Sequence, residues 1–267
     1  MTEHHRARKR FGQHFLADQM VLSAIANAIA PQKDQHLVEI GPGQAALTEY
    51  IIDYAGRLDL IELDRDLIAS LQAKFAKYEY CHIHQGDALK FDLAQLNTTP
   101  NALRIIGNLP YNISTPLIFH FLESIELIKD MTFLLQKEVV LRLTAEVGSS
   151  HYSRLSVMTQ YYCQNQMLLE VGPEAFKPPP KVDSALVHMQ PYAEPPCIAS
   201  DVNVLRRVVT EAFNHRRKTI HNALKKMVGL DVLESLDLDL SLRPQDISVK
   251  NYVQISNAIL LSKDSSR

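Results

Sequence analysis

The sequence has little of what disulfide-bonded, fibrous or membrane-spanning proteins need. Its 267 residues include only three cysteines, nine glycines and 13 prolines, which excludes collagen-like and low-complexity classes. Cys81, Cys163 and Cys197 are an odd number at wide spacings, which indicates reduced thiols. No apolar run approaches the roughly 18 residues of a membrane span, and no signal-peptide core follows the basic residues at 6–10. We therefore expect a globular protein of the cytoplasm.

The charge of the chain is nearly balanced overall but clustered locally. The composition is 46% hydrophobic and 22% charged with a net charge of −2, which excludes intrinsic disorder. Two basic clusters consist of Arg6, Arg8, Lys9 and Arg10, and of Arg206, Arg207, Arg216, Arg217, Lys218, Lys225 and Lys226. Such clusters favour a polyanionic partner. Solvated helix faces would give the same pattern.

Apolar runs of strand length alternate with helical patterns along the first half of the chain. The runs lie at 36–40, 58–63, 80–84, 103–107 and 131–135, and helical periodicity separates most of them. Alternation of strand and helix predicts a parallel sheet with both faces covered. The sequence therefore predicts the α/β fold class.

The pattern changes in the second half of the chain. We predict antiparallel strands that end the sheet at 153–162, 167–171 and 184–190. After a proline-rich stretch, helical periodicity covers 202–213, 219–228 and 249–261. These observations predict a boundary near residue 192, with a catalytic domain at 1–192 that begins with a basic arm at 1–16, and a small all-α domain at 193–267.

Three polar positions follow successive predicted strands. Gly41 and Gly43 form a turn into a helix, where missing side chains let a ligand lie against the backbone. Glu62 ends the second strand, from where a carboxylate can accept both hydroxyls of a ribose, and Asp87 can accept from an exocyclic amine of adenine. The carboxyl ends of parallel strands share one edge, so we expect a nucleotide-like cofactor there. A nicotinamide dinucleotide and a purely structural turn remain open.

The fourth strand ends in Asn108-Leu109-Pro110-Tyr111. The Asn108 side-chain oxygen and the Leu109 carbonyl can both accept from an amino group, while Tyr111 offers a flat face to a nucleobase. Accepting both protons of an exocyclic amine aims the nitrogen lone pair at an incoming electrophile without a strong base. Methyl transfer from a sulfonium suits this arrangement, although the segment could also be a simple turn.

These motifs, in this order, resemble the ribosomal RNA adenine dimethyltransferases, and within them the bacterial small-subunit (16S) branch, over nearly the whole chain. The matching segments are 13–16, 39–43, 62–64, 86–88, 108–111, 136–138, 176–184 and 213–219. The resemblance implies a Rossmann-like methyltransferase fold and S-adenosylmethionine as cofactor. It implies dimethylation on N6 of two adjacent adenosines in the loop of the 3′-terminal hairpin of 16S rRNA, within the small subunit or its precursor, as a late step of ribosome biogenesis.

The resemblance also implies roles for individual residues. The cofactor-binding positions are His14, Leu16, Gly41, Gly43, Glu62, Asp87, Ala88 and Asn108. The catalytic positions are Asn108, Leu109, Pro110, Tyr111 and Phe176, the last as a second aromatic at the flipped base. The RNA-binding positions are Arg8, Lys9, Arg10, Arg216, Arg217 and Lys218. No metal is implied, and the chain is expected to be a monomer. His14 departs from the asparagine of many members.

Other functions account for part of the sequence. A large-subunit rRNA adenine methyltransferase of antibiotic resistance shares the Asn108–Tyr111 pattern and the proline loop, but Phe213–Thr219 and the helical second domain speak against it. A duplex DNA methyltransferase lacks support because no target-recognition region is evident. A nicotinamide dehydrogenase leaves Asn108–Tyr111 without a role. A protein that mainly binds immature small subunits as an assembly checkpoint is compatible with the same motifs.

Overall fold

The computed structural model describes residues 14–264. The expected RNA-binding residues Arg8, Lys9 and Arg10 lie outside this range. The strands are β1 Phe15–Leu16, β2 His36–Ile40, β3 Arg57–Glu62, β4 Cys81–Gln85, β5 Leu103–Asn108, β6 Ile128–Gln136, β7 Cys163–Val171, β8 Phe176–Lys177 and β9 Ser184–Pro191. The helices are α1 Gln19–Ile29, α2 Thr48–Ile51, α3 Arg65–Phe75, α4 Ser114–Leu122, α5 Lys137–Leu143, α6 Arg154–Tyr162, α7 Val202–Asn214, α8 Ile220–Leu224, α9 Leu230–Glu234 and α10 Val249–Asp264.

One large sheet of the described chain has the strand order β4-β3-β2-β5-β6-β9-β7. Neighbouring strands from β4 to β6 are parallel, and β9 joins β6 in antiparallel direction. The predicted α/β class with an antiparallel end is confirmed. The chain runs outward from β2 to β4 and then returns to β5 on the other side of β2. This reversal opens a crevice at the carboxyl ends of β2 and β5, where ligands bind in folds of this kind.

Local sequence accounts for the first helix and the first central strand. Asp18 caps α1, because its carboxylate accepts from backbone N–H groups of the first turn at 2.8 and 3.1 Å. Leu22, Ile25 and Ile29 recur at helical spacing and are buried on one face of α1. All five residues of β2 are buried, as expected for a strand covered on both sides.

The strand predicted at 153–162 is wrong, because this segment forms helix α6. The backbone N–H of Ser153 donates to the Ser156 hydroxyl at 2.9 Å, which satisfies a group that would otherwise lack a partner at the helix start. The five residues 155–159 are all buried. A helix buried on every side has no polar face, so its sequence pattern does not distinguish it from a strand.

The described chain forms two compact units, and the second is built from two separate segments. The first unit contains the chain up to Val140 and Asn165–Pro191, and the second contains Leu141–Gln164 and the chain from Tyr192 onward. One change of unit falls between residues 191 and 192. The expectation of a contiguous second domain differs from the structure, because α6 packs against α7 within the second unit.

Helices dominate the second unit, as the periodicity of its sequence predicted. Helix α7 packs against α6, α8 and α10. Its buried residues are Val204, Leu205, Val208, Val209 and Ala212, which lie three to four residues apart along one face. The buried Tyr252 of α10 donates its hydroxyl to the Pro244 carbonyl at 2.7 Å. None of the helices in residues 14–264 is both long and apolar enough to cross a membrane.

Candidate active site

A cavity of about 300 Å³ lies in the first unit at the carboxyl ends of β2, β3, β4 and β5. This volume is at the lower end of the range of small-molecule sites. The lining includes the predicted residues His14, Leu16, Gly41, Gly43, Glu62, Asp87, Ala88, Asn108, Leu109, Pro110 and Tyr111. The topology therefore brings together residues that are almost 100 positions apart in the sequence.

The turn after β2 has a backbone conformation that glycine adopts without strain. Gly41 and Gly43 have φ angles of +63° and +57°. A Cβ atom at Gly43 would lie 3.0 Å from the Phe15 ring. Ala45 also has a positive φ, of 67°, which costs a residue with a side chain about 1–2 kcal/mol. The room for a ligand is at Gly41, where a Cβ would meet nothing within 4 Å, whereas the Phe15 ring fills the space beside Gly43.

Glu62, at the end of β3, is held by two backbone groups. One carboxylate oxygen accepts from Gly43 N at 3.1 Å, and the other accepts from Asp64 N at 2.8 Å. Burial raises the pKa of Glu62, and these backbone hydrogen bonds partly offset that effect. A carboxylate oxygen with one N–H partner retains a lone pair for a hydroxyl group. The geometry suits the predicted recognition of a ribose.

Glu39, which the sequence analysis did not select, is a second buried acid in the cavity wall. It is 2% exposed, and its Oε2 accepts from the Thr48 hydroxyl at 2.7 Å. Burial raises the pKa of Glu39 to about 7; the Thr48 hydrogen bond opposes the effect, and Glu62 adds to it. The sequence does contain a signal for Glu39, because it is an acid inside the apolar segment Leu37–Ile40 and a buried charge needs a partner. Two acids facing one cavity favour a cationic ligand.

Asp87 and Ala88 follow β4 and line the same cavity. Asp87 Oδ1 accepts from Leu89 N at 3.0 Å, and the Asp87 carbonyl accepts from Lys90 N at 2.9 Å. These two bonds fix the turn and orient the carboxylate. Its position after the strand next to Glu62 agrees with the order predicted from the sequence.

The Asn108 side chain has a defined orientation at the end of β5. Its Nδ2 donates to the main-chain carbonyl of His14 at 3.1 Å. Because the amide nitrogen is engaged, Oδ1 is the group that Asn108 offers as an acceptor. Gly107 lets β5 lie close to β2, because a Cβ at this position would lie only 2.7 Å from the Ile40 carbonyl oxygen.

Tyr111 is held at its hydroxyl and at its ring. The hydroxyl lies 2.6 Å from the Ser184 hydroxyl of β9, and burial raises the pKa of Tyr111. The ring stacks with the His14 imidazole, with centroids 5.7 Å apart and an interplanar angle of 26°. Tyr111 therefore keeps one orientation beside the Asn108 acceptor. Ser184 was part of a motif visible in the sequence, but only the tertiary structure gives it this role.

Phe176 occupies a different place from the one expected. Strand β8 pairs with β1 so that Phe176 lies opposite Leu16. The Phe176 side chain is 2% exposed and packs in the hydrophobic core of the first unit, and the cavity lining does not include it. A side chain this buried offers no face to a nucleobase. In this conformation Phe176 supports the wall of the cavity through Leu16, and contact with a base would require β1 to part from β8.

The predicted RNA-binding residues Arg216, Arg217 and Lys218 lie in the second unit, in the exposed turn between α7 and α8. Arg216 donates to the Ser150 carbonyl of the same unit at 2.7 Å. The side chains of all three residues are accessible to phosphates. In the described part of the chain, no group of three or more histidine, cysteine or acidic side chains could hold a metal ion.

Comparisons with known proteins agree with this geometry. The chain matches a family model described as ribosomal RNA adenine dimethylase over residues 4–260. The ribosomal RNA small subunit methyltransferase A of Pseudomonas aeruginosa is 53% identical over 255 residues, which cover 96% of this chain and 95% of the relative. The crystal structure of a dimethyladenosine transferase from Plasmodium falciparum has a TM-score of 0.80 at 26% identity, covering 94% of this chain and 98% of that chain. The 23S rRNA methyltransferase ErmE has the same fold, with a TM-score of 0.73 at 24% identity and coverage of 92% and 99%.

Proposed function

This chain belongs to the ribosomal RNA adenine dimethylase family, and we propose that it dimethylates N6 of two adjacent adenosines in the 3′-terminal hairpin loop of 16S rRNA. It is an rRNA adenine methyltransferase of the small-subunit type. The Asn108 amide carries the proposal most directly. Its nitrogen is held by the His14 carbonyl, so its oxygen is free to accept from an exocyclic amine beside the Tyr111 ring.

The cavity fits S-adenosylmethionine, which supplies a methyl group on a cationic sulfonium. Glu62 would accept from the ribose hydroxyls and Asp87, beside Ala88, from the adenine amine. A Cβ atom at Gly41 would meet nothing within 4 Å, so the turn leaves space for a ligand at this position. His14 and Leu16 would close the cavity on the side of β1. Burial raises the pKa values of Glu39 and Glu62, and a cationic ligand would oppose this shift by favouring their ionised forms. The lining residues thus match both the polar groups and the charge of this cofactor.

The chain's own groups act on the adenine amine. In the first transfer, Asn108 Oδ1 and the Leu109 carbonyl accept hydrogen bonds from its two N–H groups and turn the N6 lone pair toward the cavity. Pro110 fixes the chain between these acceptors and Tyr111, on which the base stacks. The cofactor would supply the methyl group from its sulfonium, and the two carbonyl dipoles would stabilise the positive charge that develops on N6. The excess proton on N6 then leaves to water. A hairpin-loop base is already partly unstacked, which lowers the cost of flipping it.

The proposal extends to partners and location. The exposed Arg216, Arg217 and Lys218 would bind phosphates of 16S rRNA in the small subunit or its precursor. Arg8, Lys9 and Arg10 of the basic arm would bind further phosphates. We place the enzyme in the cytoplasm as a monomer that acts late in ribosome biogenesis.

The alternatives receive less support. A large-subunit methyltransferase is not favoured, because the curated relatives at 51–54% identity are small-subunit methyltransferases. A nicotinamide dehydrogenase would give no role to the fixed Asn108 amide and the Tyr111 ring. An assembly checkpoint is compatible with methylation, and it predicts that a catalytically inactive form still binds small subunits.

The decisive experiment is methyl transfer from labelled S-adenosylmethionine to small subunits that lack the modification, with nuclease digestion and mass spectrometry of the nucleosides. We expect dimethyladenosine from the 3′-terminal hairpin, and monomethyladenosine alone at saturation would contradict dimethylation. Asn108→Ala should abolish transfer while still binding subunits. Asn203→Ala, an exposed asparagine of the second unit, is the matched control and should retain activity. Label in large-subunit RNA or DNA would overturn the proposed substrate.

A further inference from the structure

Within the described part of the chain, His14 contacts Tyr111, the Pro178 carbonyl and Asn108, and two of these, Tyr111 and Asn108, belong to the proposed nucleobase site. Its ring stacks on Tyr111, and its Nδ1 lies 2.8 Å from the Pro178 carbonyl oxygen. Its main-chain carbonyl accepts from Asn108 Nδ2. One residue therefore touches both the acceptor of the amine and the ring on which the base would stack.

The contact with Pro178 determines which ring nitrogen of His14 carries the proton. A carbonyl oxygen can only accept, so Nδ1 must be the donor in this hydrogen bond. In the neutral imidazole, Nε2 then has no proton and can only accept. A neutral His14 side chain therefore has no donor left for the carboxylate of a cofactor. Its directional contacts serve Tyr111 and the Pro178 loop instead.

Both ends of the loop from Pro178 to Ser184 help to hold Tyr111 in place. The beginning of the loop is bonded to His14, which covers one face of the Tyr111 ring, and its end supplies the Ser184 hydroxyl to the Tyr111 oxygen. A ring fixed at one face and at its hydroxyl presents its other face in a constant plane. Preorganisation of this kind lowers the cost of ordering the site when a base arrives.

We propose that His14 is a positioning residue for the target adenine, its side chain acting through the Tyr111 ring so that the base stacks on the ring face opposite the imidazole. This inference rests on the proposed function and assigns the His14 side chain to substrate positioning rather than to donation toward the cofactor. Stacking and donation are separable, because phenylalanine keeps a flat ring without a donor and asparagine keeps an N–H donor without a ring.

The test compares His14→Phe, His14→Asn and His14→Ala with the wild type, using small subunits that lack the modification. We expect kcat at saturating cofactor to fall about two- to tenfold in the Asn and Ala variants, the range that corresponds to removing one aromatic pair, and the Phe variant to recover most of it. The Kd for S-adenosylmethionine, measured by calorimetry, should change less than about twofold in the Phe variant. His82→Phe, at an exposed histidine of β4, is the control for a ring substitution elsewhere and should behave as wild type.

Each outcome separates this inference from the proposed function. A Phe variant that binds the cofactor tenfold more weakly, with kcat unchanged at saturation, would make His14 a cofactor-binding side chain and overturn the inference. Tighter subunit binding by His14→Ala would show that the imidazole occupies the place of the base, which also overturns it. Calorimetric binding of cofactor by each variant verifies that the site is folded. Wild-type protein that leaves the subunits unmethylated would instead refute the proposed function.

Discussion

Replacing Glu39 with glutamine should stabilise the protein at alkaline pH and leave its stability unchanged at acidic pH. Burial raises the pKa of Glu39 from 4.5 to about 7. Below pH 4.5 the carboxyl is protonated in both the folded and the unfolded chain, so it makes no pH-dependent contribution. Between pH 4.5 and 7 the unfolded chain ionises Glu39 before the folded chain does, so stability is lost as the pH rises through this interval. Above pH 7 the folded chain also carries the buried carboxylate, and the loss is complete.

The expected size of the effect follows from the same pKa. Each unit of difference between the folded and unfolded pKa corresponds to 1.36 kcal/mol, so a rise in the pKa of Glu39 from 4.5 to about 7 corresponds to roughly 3 kcal/mol. Glutamine has nearly the shape of the protonated acid, and its side-chain oxygen can still accept from Thr48. The variant should therefore exceed the free energy of unfolding of the wild type by less than about 1 kcal/mol at pH 5 and by about 3 kcal/mol at pH 9.

Urea unfolding of both proteins at pH 5, 7 and 9, followed by circular dichroism, measures this difference. Glu79→Gln, at an exposed acid between α3 and β4, is the control and should give a small difference that varies little with pH. A stability gap between Glu39→Gln and wild type that stays constant from pH 5 to 9 would refute the argument. So would a variant less stable than the wild type at pH 9, since ionised Glu39 would then be stabilising in the free protein.

Three further perturbations test the fold and the RNA interface. Gly107→Ala should lower the free energy of unfolding by about 1–3 kcal/mol in urea titrations, because its Cβ would lie 2.7 Å from the Ile40 carbonyl oxygen. Equal stability of variant and wild type would show that strands β2 and β5 can separate at this point. Burial alone would raise the pKa of Asp59, but hydrogen bonds from two histidines and an arginine hold it well below its usual range. Asp59→Asn should therefore cost about 3–5 kcal/mol at pH 7, and the loss should shrink as the pH falls below 3.8, where the unfolded carboxyl becomes protonated; a loss independent of pH would contradict this. Filter-binding assays measure the slope of log binding constant against log salt concentration. Glutamine at residues 216–218 should reduce this slope by about 0.7–0.9 for each RNA phosphate that the protein no longer neutralises. An unchanged slope would exclude these residues from the RNA interface.

The predicted part of the cavity lining could be found because its residues follow strands that the hydrophobic pattern identifies. Gly41, Glu62 and Asp87 each come directly after or at the end of a strand, and parallel strands end at the same edge. Glu39 was not selected, because it lies within a strand and nothing local shows which face of the sheet it occupies. The exposure of a side chain depends on which elements cover it, and this information is distributed over the whole chain.

The sequence by itself determined the α/β order of the first unit, the glycine turn and the Asn108–Tyr111 segment, since periodicity, backbone freedom and donor–acceptor chemistry are local properties. Only the tertiary structure decided that 154–162 is a helix of the second unit, since burial on every side removes the polar face that identifies a helix. It also decided that Phe176 is a core residue and that His14 donates to Pro178, because strand β1 pairs with β8 across some 160 residues of sequence. Contacts over such a separation depend on how the elements pack, which no local pattern records.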